Sequence, residues 1–209
     1  SEGDQIKLGT KRTETFWNRK IVIGSTPTVK GVSRIERSYA ESDQRRFHVP
    51  CPHCGEHQPL EWGGRDTPHG IKWEKDEAGN HLPETAYYVC RHNGCVIEEA
   101  DKPAMIAAGR WVAAKPFKGH AGFHISALYS LLPNASWGRI AAEFLEAKRD
   151  PQLLQTFVNL VLGETWEPPA DQEADATGLM ARRENYAAEV PDGVALLTAG
   201  ADVQGDRLE

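Results

Sequence analysis

The sequence predicts a mixed α/β chain, with a four-cysteine ribbon at its centre and a domain edge on either side. Three observations carry that expectation. All 4 Cys fall in two close pairs, Cys51/Cys54 and Cys90/Cys95. Residues 19–24 read Arg-Lys-Ile-Val-Ile-Gly, a β-branched run closed by glycine that requires strand neighbours. Two amphipathic segments with clear start and stop residues follow position 135, and a further apolar run, 194–201, ends at Asp202.

The cysteine module is the best-defined part. Cys51-Pro52-His53-Cys54-Gly55 can turn sharply at its glycine, so that two thiolates aim at one centre. Cys90-Arg91-His92-Asn93-Gly94-Cys95 supplies the second pair, its wider spacing absorbed by a looser knuckle at Asn93-Gly94. Four sulfurs make the tetrahedral set that Zn²⁺ takes in closed structural sites, so Cys51, Cys54, Cys90 and Cys95 are the expected metal ligands. A filled shell has no position for water or substrate; such a centre stabilises and positions rather than catalyses, which argues against a zinc hydrolase. Two disulfides and a redox Cys-x-x-Cys are the alternatives. No secretory context supports the first, and no thioredoxin-like pattern supports the second. His53, His57 and His92 lie near enough to act as ligands, although the four sulfurs suffice without them.

With 209 residues, 40% hydrophobic and 26% charged, the composition is that of a globular protein able to bury a core. Ser1 opens no charged-then-apolar signal pattern and no apolar run is long enough to span a bilayer, so cytoplasmic residence with reduced thiols is expected. The net charge of −6 is unevenly spread. Residues 1–48 hold ten Lys/Arg against six Asp/Glu, whereas residues 164–209 hold three against eleven. The basic leading segment could face phosphate; a solvated face is the commoner origin of either bias.

Along the chain, residues 19–24 form the expected buried strand, followed by the hydroxyl-rich loop Ser25-Thr26-Pro27-Thr28. With no earlier strands to pair with it, residues 1–48 read as the end of a domain. A short amphipathic helix is expected at 33–39 and a strand at 47–49 that delivers Cys51. Between the cysteine pairs, residues 58–62, 70–74 and 87–89 alternate or run apolar as three short strands, with Trp62 and Trp73 packing a thin sheet. Asp101 and Pro103 start a helix that Gly109 stops, and 110–113 is a strand. Residues 119–132 are apolar but glycine-broken, so His120 and His124 are read as packing or surface histidines rather than a helical metal pair. Ser136 and Asp150–Pro151 cap two helices, the second ended by Gly163. A Pro-rich acidic linker, a short helix at 177–186 and the strand 194–201 complete the chain. There is no Gly-x-x-x-x-Gly-Lys-Ser/Thr loop, hence no phosphate cradle for ATP in these residues.

Several strings, taken in order, resemble one family. They are Arg19-Lys20-Ile21-Val22-Ile23-Gly24-Ser25-Thr26-Pro27-Thr28, Ser33-Arg34-Ile35-Glu36, Ser42-Asp43-Gln44-Arg45-Arg46 and Val49-Pro50-Cys51-Pro52-His53-Cys54-Gly55. Then come Gly122-Phe123-His124-Ile125, Leu128-Tyr129-Ser130, Phe157-Val158-Asn159, Leu162-Gly163-Glu164-Thr165-Trp166 and Leu197-Thr198-Ala199-Gly200-Ala201-Asp202-Val203-Gln204. This run resembles the large subunit of tailed-phage DNA-packaging terminases, in the lambda-like GpA branch.

The resemblance implies an ATP-driven double-stranded DNA translocase and endonuclease that packages viral genomes into procapsids. It implies ATP and Mg²⁺ or Mn²⁺ as cofactors beside the zinc, and double-stranded DNA, the small terminase subunit and the portal protein as partners in the bacterial host cytoplasm. By the same resemblance, 1–48 is the C-terminal end of a P-loop-type ATPase sheet and 49–100 a zinc-ribbon insertion. Residues 101–190 would be a helical connector and 191–209 the first strand of an RNase H-like nuclease. Ser25, Thr26 and Pro27 match the motif coupling hydrolysis to DNA movement, and Asp202 matches the first metal-binding acid of the nuclease. Lacking the phosphate loop and most nuclease acids, the 209 residues alone are expected to show neither activity. The competing expectation is a stand-alone zinc-ribbon module that binds DNA or a protein.

Overall fold

Strand β1 (Arg45–Pro50) is paired on both of its edges. In the computed structural model, which describes residues 5–64 and 66–168, it lies between β2 (His57–Pro59) and β6 (Arg110–Val112), both antiparallel to it. His48 faces Pro59 on one side and Arg110 on the other. The short β7 (Phe123–His124) runs parallel to β1 at Arg45 and Arg46. Alongside β1, the Tyr129 hydroxyl takes the part of a ladder partner. It donates to the Phe47 carbonyl (2.5 Å) and accepts from the Leu60 N–H (2.7 Å), so neither backbone group is left unpaired.

A second antiparallel sheet has the order β3–β4–β5, formed by Gly70–Lys75, His81–Val89 and Val96–Ile97. The sequence reading put the segments between the cysteine pairs into one thin sheet. Instead β2 joins β1, and β3 and β4 pair with each other, with an irregular register between Lys72 and Glu74. The reason is the turn at Cys51–Gly55, which folds β2 straight back on β1 and leaves β3 to start afresh.

Helix α4 (Trp137–Ala147) covers this second sheet, with Ser136 capping it through the Arg139 N–H as expected. Gly138 permits the close approach, since a Cβ there would lie 3.0 Å from the Pro83 carbonyl oxygen. Trp137, wholly buried, is held by three groups. Its indole N–H donates to Leu128 O (3.1 Å), its backbone N–H to Glu99 (2.8 Å), and the Lys102 ammonium sits over its ring. Lys102 is itself buried and paired to Glu99 at 2.5 Å, within helix α3 (Lys102–Ala107) and the turn before it. Asp101 donates no cap to that helix; its carboxylate accepts from the Glu98 N–H instead.

Asp150 caps α5 (Pro151–Thr156) through the N–H groups of Gln152 and Leu153. The helix then widens into a π-helical turn, Phe157–Leu162, and stops at Gly163 with φ +66°. There the Asn159 amide donates both to Thr28 O (3.0 Å) and to Glu164 O (2.8 Å), while Val29 and Trp166 form a parallel bridge.

The leading segment departs from expectation. Beyond α1 (Gln5–Lys11), residues 19–24 form no ladder with any described residue, and Val22 is 92% exposed. A strand apolar on both faces is buried only between neighbours, and the described residues provide none. Helix α2 (Arg34–Ala40) forms where expected, although the Ser33 hydroxyl accepts from the Thr28 N–H rather than capping it. Contacts divide the chain into Ser1–Glu167 and Pro168–Glu209. The expected helix at 177–186 and strand at 194–201 lie outside the described residues.

Next to α2, Asp43 organises a tight junction. Its buried carboxylate is bound by the Arg45 guanidinium (2.8 Å) and by the Gly122 N–H (3.1 Å), and its carbonyl accepts from Ala114 and Lys115. Burial pushes the carboxyl up, but Arg45 and the Gly122 N–H together hold it below its ordinary value. Gly122 has no room for a side chain, because a Cβ would overlap the Ser42 hydroxyl. Gly122→Ala should therefore cost about 1–3 kcal/mol by overpacking, read as a lower urea midpoint with an unchanged slope.

Candidate metal centre

Each sheet presents one knuckle. The first joins β1 to β2, and the second joins β4 to β5. Their hydrogen bonds are equivalent. In the first, the Cys51 N–H donates to Glu56 O (2.9 Å) and the Gly55 N–H to Cys51 O (2.9 Å). In the second, the Cys90 N–H donates to Cys95 O (2.9 Å) and the Gly94 N–H to Cys90 O (3.0 Å). Both glycines are left-handed, at φ +77° and +64°.

Aligned on these bonds, Cys51 matches Cys90, Gly55 matches Gly94, and Glu56 matches Cys95. The second sulfur therefore precedes the glycine in one knuckle and follows it in the other. Asn93 occupies the place equivalent to Cys54, and its side chain acts on the Cys54 thiol to lower its pKa. Lining up the two glycines in the sequence would have exposed this offset and Asn93 with it.

The sulfurs of Cys51, Cys54 and Cys95 lie within 4.8 Å of one another, and Cys54 Sγ is 3.8 Å from Cys90 Sγ. A tetrahedron with metal–sulfur bonds of about 2.3 Å has edges of about 3.8 Å, so Cys51, Cys54 and Cys95 could share an ion, whereas Cys90, close to Cys54, is not within the same span of all three. All four thiols are unpaired, and the expected disulfide alternative is not formed. Their acidities are split. Asn93 first, then the Glu56 N–H, brings Cys54 down to about 6, while burial pushes Cys51 up to about 12 and raises Cys95. His53 and His92 are exposed, and no histidine joins the cluster among the described residues.

Charged and polar contacts brace the centre. Buried Gln58 accepts from the Arg91 N–H (2.8 Å). Glu61 is paired to Arg46 (3.2 Å), His69 (3.3 Å) and Arg91 (3.4 Å). Tyr88, buried, accepts from the Glu61 N–H (3.2 Å) and donates to Pro59 O (3.3 Å), and burial raises its pKa. None of these three residues was singled out from the sequence as part of the centre. Their partners are distant in the chain, so no local spacing reveals them.

The other expected site residues lie elsewhere. Ser25 and Thr26 are exposed, with the Ser25 hydroxyl donating to Thr26 O (2.9 Å), and Pro27 is half-buried. Asp202 lies outside the described residues. His124 is on β7 rather than a helix, its ring nitrogen 3.0 Å from Gly163 O.

Two family models match successive parts of the chain. The family model described as phage terminase large subunit gpA, ATPase domain, matches residues 1–111. That described as terminase large subunit gpA, endonuclease domain, matches residues 120–209. The chain belongs to the phage terminase large subunit gpA family. Among its relatives, the terminase large subunit of Escherichia phage lambda is 40% identical over 228 aligned residues, and that of Enterobacteria phage P21 is 39% identical. Each match covers 100% of this chain and 34% of the relative, so the chain spans about a third of their length. No solved structure matches.

The knuckle geometry makes a direct test possible. Gly94→Ala should lower stability by about 1–2 kcal/mol, the cost of a left-handed conformation for a residue with a Cβ, and Gly94→Asn by clearly less. Thermal melts of the two variants would check the ranking.

Proposed function

We propose that these residues are the middle of a packaging motor, joining an ATPase to an endonuclease in a large terminase subunit. Such a subunit would drive double-stranded DNA into a procapsid and cut it. The observation that carries this reading is the match to both family domains, in order, along the whole chain. That order does not favour the alternative, a stand-alone zinc-ribbon module binding DNA or a protein.

On this reading residues 1–48 close the P-loop ATPase sheet and 49–100 are a zinc-ribbon insertion. Residues 101–190 connect, and 191–209 begin an RNase H-like nuclease. Cys51, Cys54, Cys90 and Cys95 hold Zn²⁺, supported by the sulfur spacing and by the equivalent knuckles. The ion is structural, since four sulfurs fill its shell. Ser25, Thr26 and Pro27 couple ATP hydrolysis to DNA movement, in keeping with hydroxyls that face solvent rather than a packed core. Asp202 is the first carboxylate for the Mg²⁺ or Mn²⁺ of the nuclease. The small terminase subunit and the portal protein are the partners, in the host cytoplasm; no described helix is long and apolar enough to cross a membrane.

Metal content is the first check. The purified chain should carry about one zinc ion by mass spectrometry. Cys54→Ser and Cys95→Ser should each lose it, and chelation should lower the melting temperature of the parent chain but not of these variants. In a full-length subunit containing this segment, Asp202→Asn should abolish DNA cleavage while leaving DNA-stimulated ATP hydrolysis intact. Ser25→Ala with Thr26→Ala should leave DNA cleavage intact while uncoupling ATP hydrolysis from DNA packaging. A full-length subunit without DNA-stimulated hydrolysis would refute the motor reading.

A further inference from the structure

Away from the sulfurs, β3, β4 and α4 border a cavity of ≈ 490 Å³, a size suited to a small ligand. Trp62, Trp73 and Phe144 supply aromatic walls, their rings in mutual contact at 5.1–6.2 Å. Lys72, Lys75 and Lys148 line it, and no acidic residue does so among the described residues. Three cations line the cleft, and the one carboxylate acting on them, Asp66 beside Lys72, lies outside its lining, so the potential at Lys75 and Lys148 is positive.

One contact in it is chemically incomplete. The Trp73 indole N–H donates to His81 Nδ1 (2.8 Å). Indole nitrogen only donates, so Nδ1 must be the unprotonated nitrogen, and the neutral ring carries its proton on Nε2. Burial, then the Lys148 and Lys75 charges, hold His81 below its ordinary value and keep the ring neutral. Yet Nε2 lies 3.5 Å from the Lys148 ammonium, which also only donates. Two donors converge with no acceptor between them. Lys72, by contrast, already donates to Gly64 O and Thr67 O, each at 2.6 Å.

We propose that this cleft is a phosphate-binding site in which His81 Nε2–H, Lys148 and Lys75 hold the phosphate oxygens and Trp62 and Trp73 flank the organic part of the ligand. The ligand is a phosphate group borne by a nucleotide or by a nucleic-acid backbone. None of Ser25, Thr26, Pro27, Asp202 or the four cysteines lines this cleft, so it is a separate site. Its failure would leave the zinc and full-length assays of the motor reading untouched.

The test uses the 209-residue chain and two probes. Deoxyadenosine monophosphate is followed by tryptophan emission, and a fluorescein-labelled 20-base-pair duplex by anisotropy over a salt series. Lys148→Ala and His81→Phe should each weaken binding about tenfold, the usual loss for a charge-assisted hydrogen bond, with melting unchanged in Lys148→Ala and lowered in His81→Phe, which also removes the acceptor of the Trp73 N–H. Lys148→Arg should retain binding, and Lys118→Ala, on an exposed residue outside the cleft, should have no effect. Loss of duplex binding in Lys148→Ala, with a salt slope smaller by about one, assigns the site to backbone phosphate. Loss of mononucleotide binding alone assigns it to a free nucleotide. If neither probe binds, or if Lys148→Ala and His81→Phe bind like the parent chain, the proposal is overturned.

Discussion

The two sheets meet at the two cysteine knuckles, where Cys51, Cys54 and Cys95 cluster and Cys90 approaches Cys54, and the polar contacts along that seam hold the described fold together. Each knuckle is a turn of a different sheet, so the cluster gathers side chains from both sheets rather than from one. Around it, Gln58 to the Arg91 N–H, Tyr88 to Pro59 and Glu61, and the Arg46–Glu61–Arg91 chain all cross the same seam. These contacts are largely polar, and they hold best when the sulfurs bring the strands into register. Short sheets of two- to nine-residue strands have little core of their own, so the seam carries much of what a larger core would supply.

The apolar core lies chiefly beyond the seam, between β3–β4 and α4. Trp137 is its anchor, and the buried Lys102 is tolerated there because Glu99 pairs with it and the indole face receives its charge. Glu99 also accepts the first free N–H of α4, so one carboxylate satisfies a buried cation and a helix end at once. Removing it would leave both exposed to the same apolar surroundings.

Much of this was legible in the sequence wherever the cause is local. Ser136 and Asp150 cap the helices they were expected to cap, and Gly163 ends the last turn in the left-handed region. Gly55 and Gly94 turn the knuckles, and three of the four cysteines, Cys51, Cys54 and Cys95, lie within reach of one another. The motif strings at 42–46 and 122–125 were recognised separately; the structure joins them through Asp43 and Gly122. What depends on distant partners was not legible. Nothing near Gln58 shows that it pairs with Arg91, whereas the turn at Cys51–Gly55 that folds β2 onto β1 was itself legible and only its consequence for the sheet was not. Residues 19–24 failed as a strand for the same reason, since burial there is a property of neighbours and not of the segment. Asn93 was missed because the spacing was counted between cysteines instead of from the glycines.

The amide of Asn159 has a mechanical consequence. By binding Thr28 O and Glu164 O together, beside the Val29–Trp166 bridge, it fastens the loop that follows Ser25-Thr26-Pro27 to the segment leaving the last helix. The π-helical turn is what rotates this amide inward, and its wider winding inserts one residue's worth of phase. The loop and the departing segment therefore behave as a single splint. The two segments are thereby tied to each other directly, at a place apart from the sulfur seam.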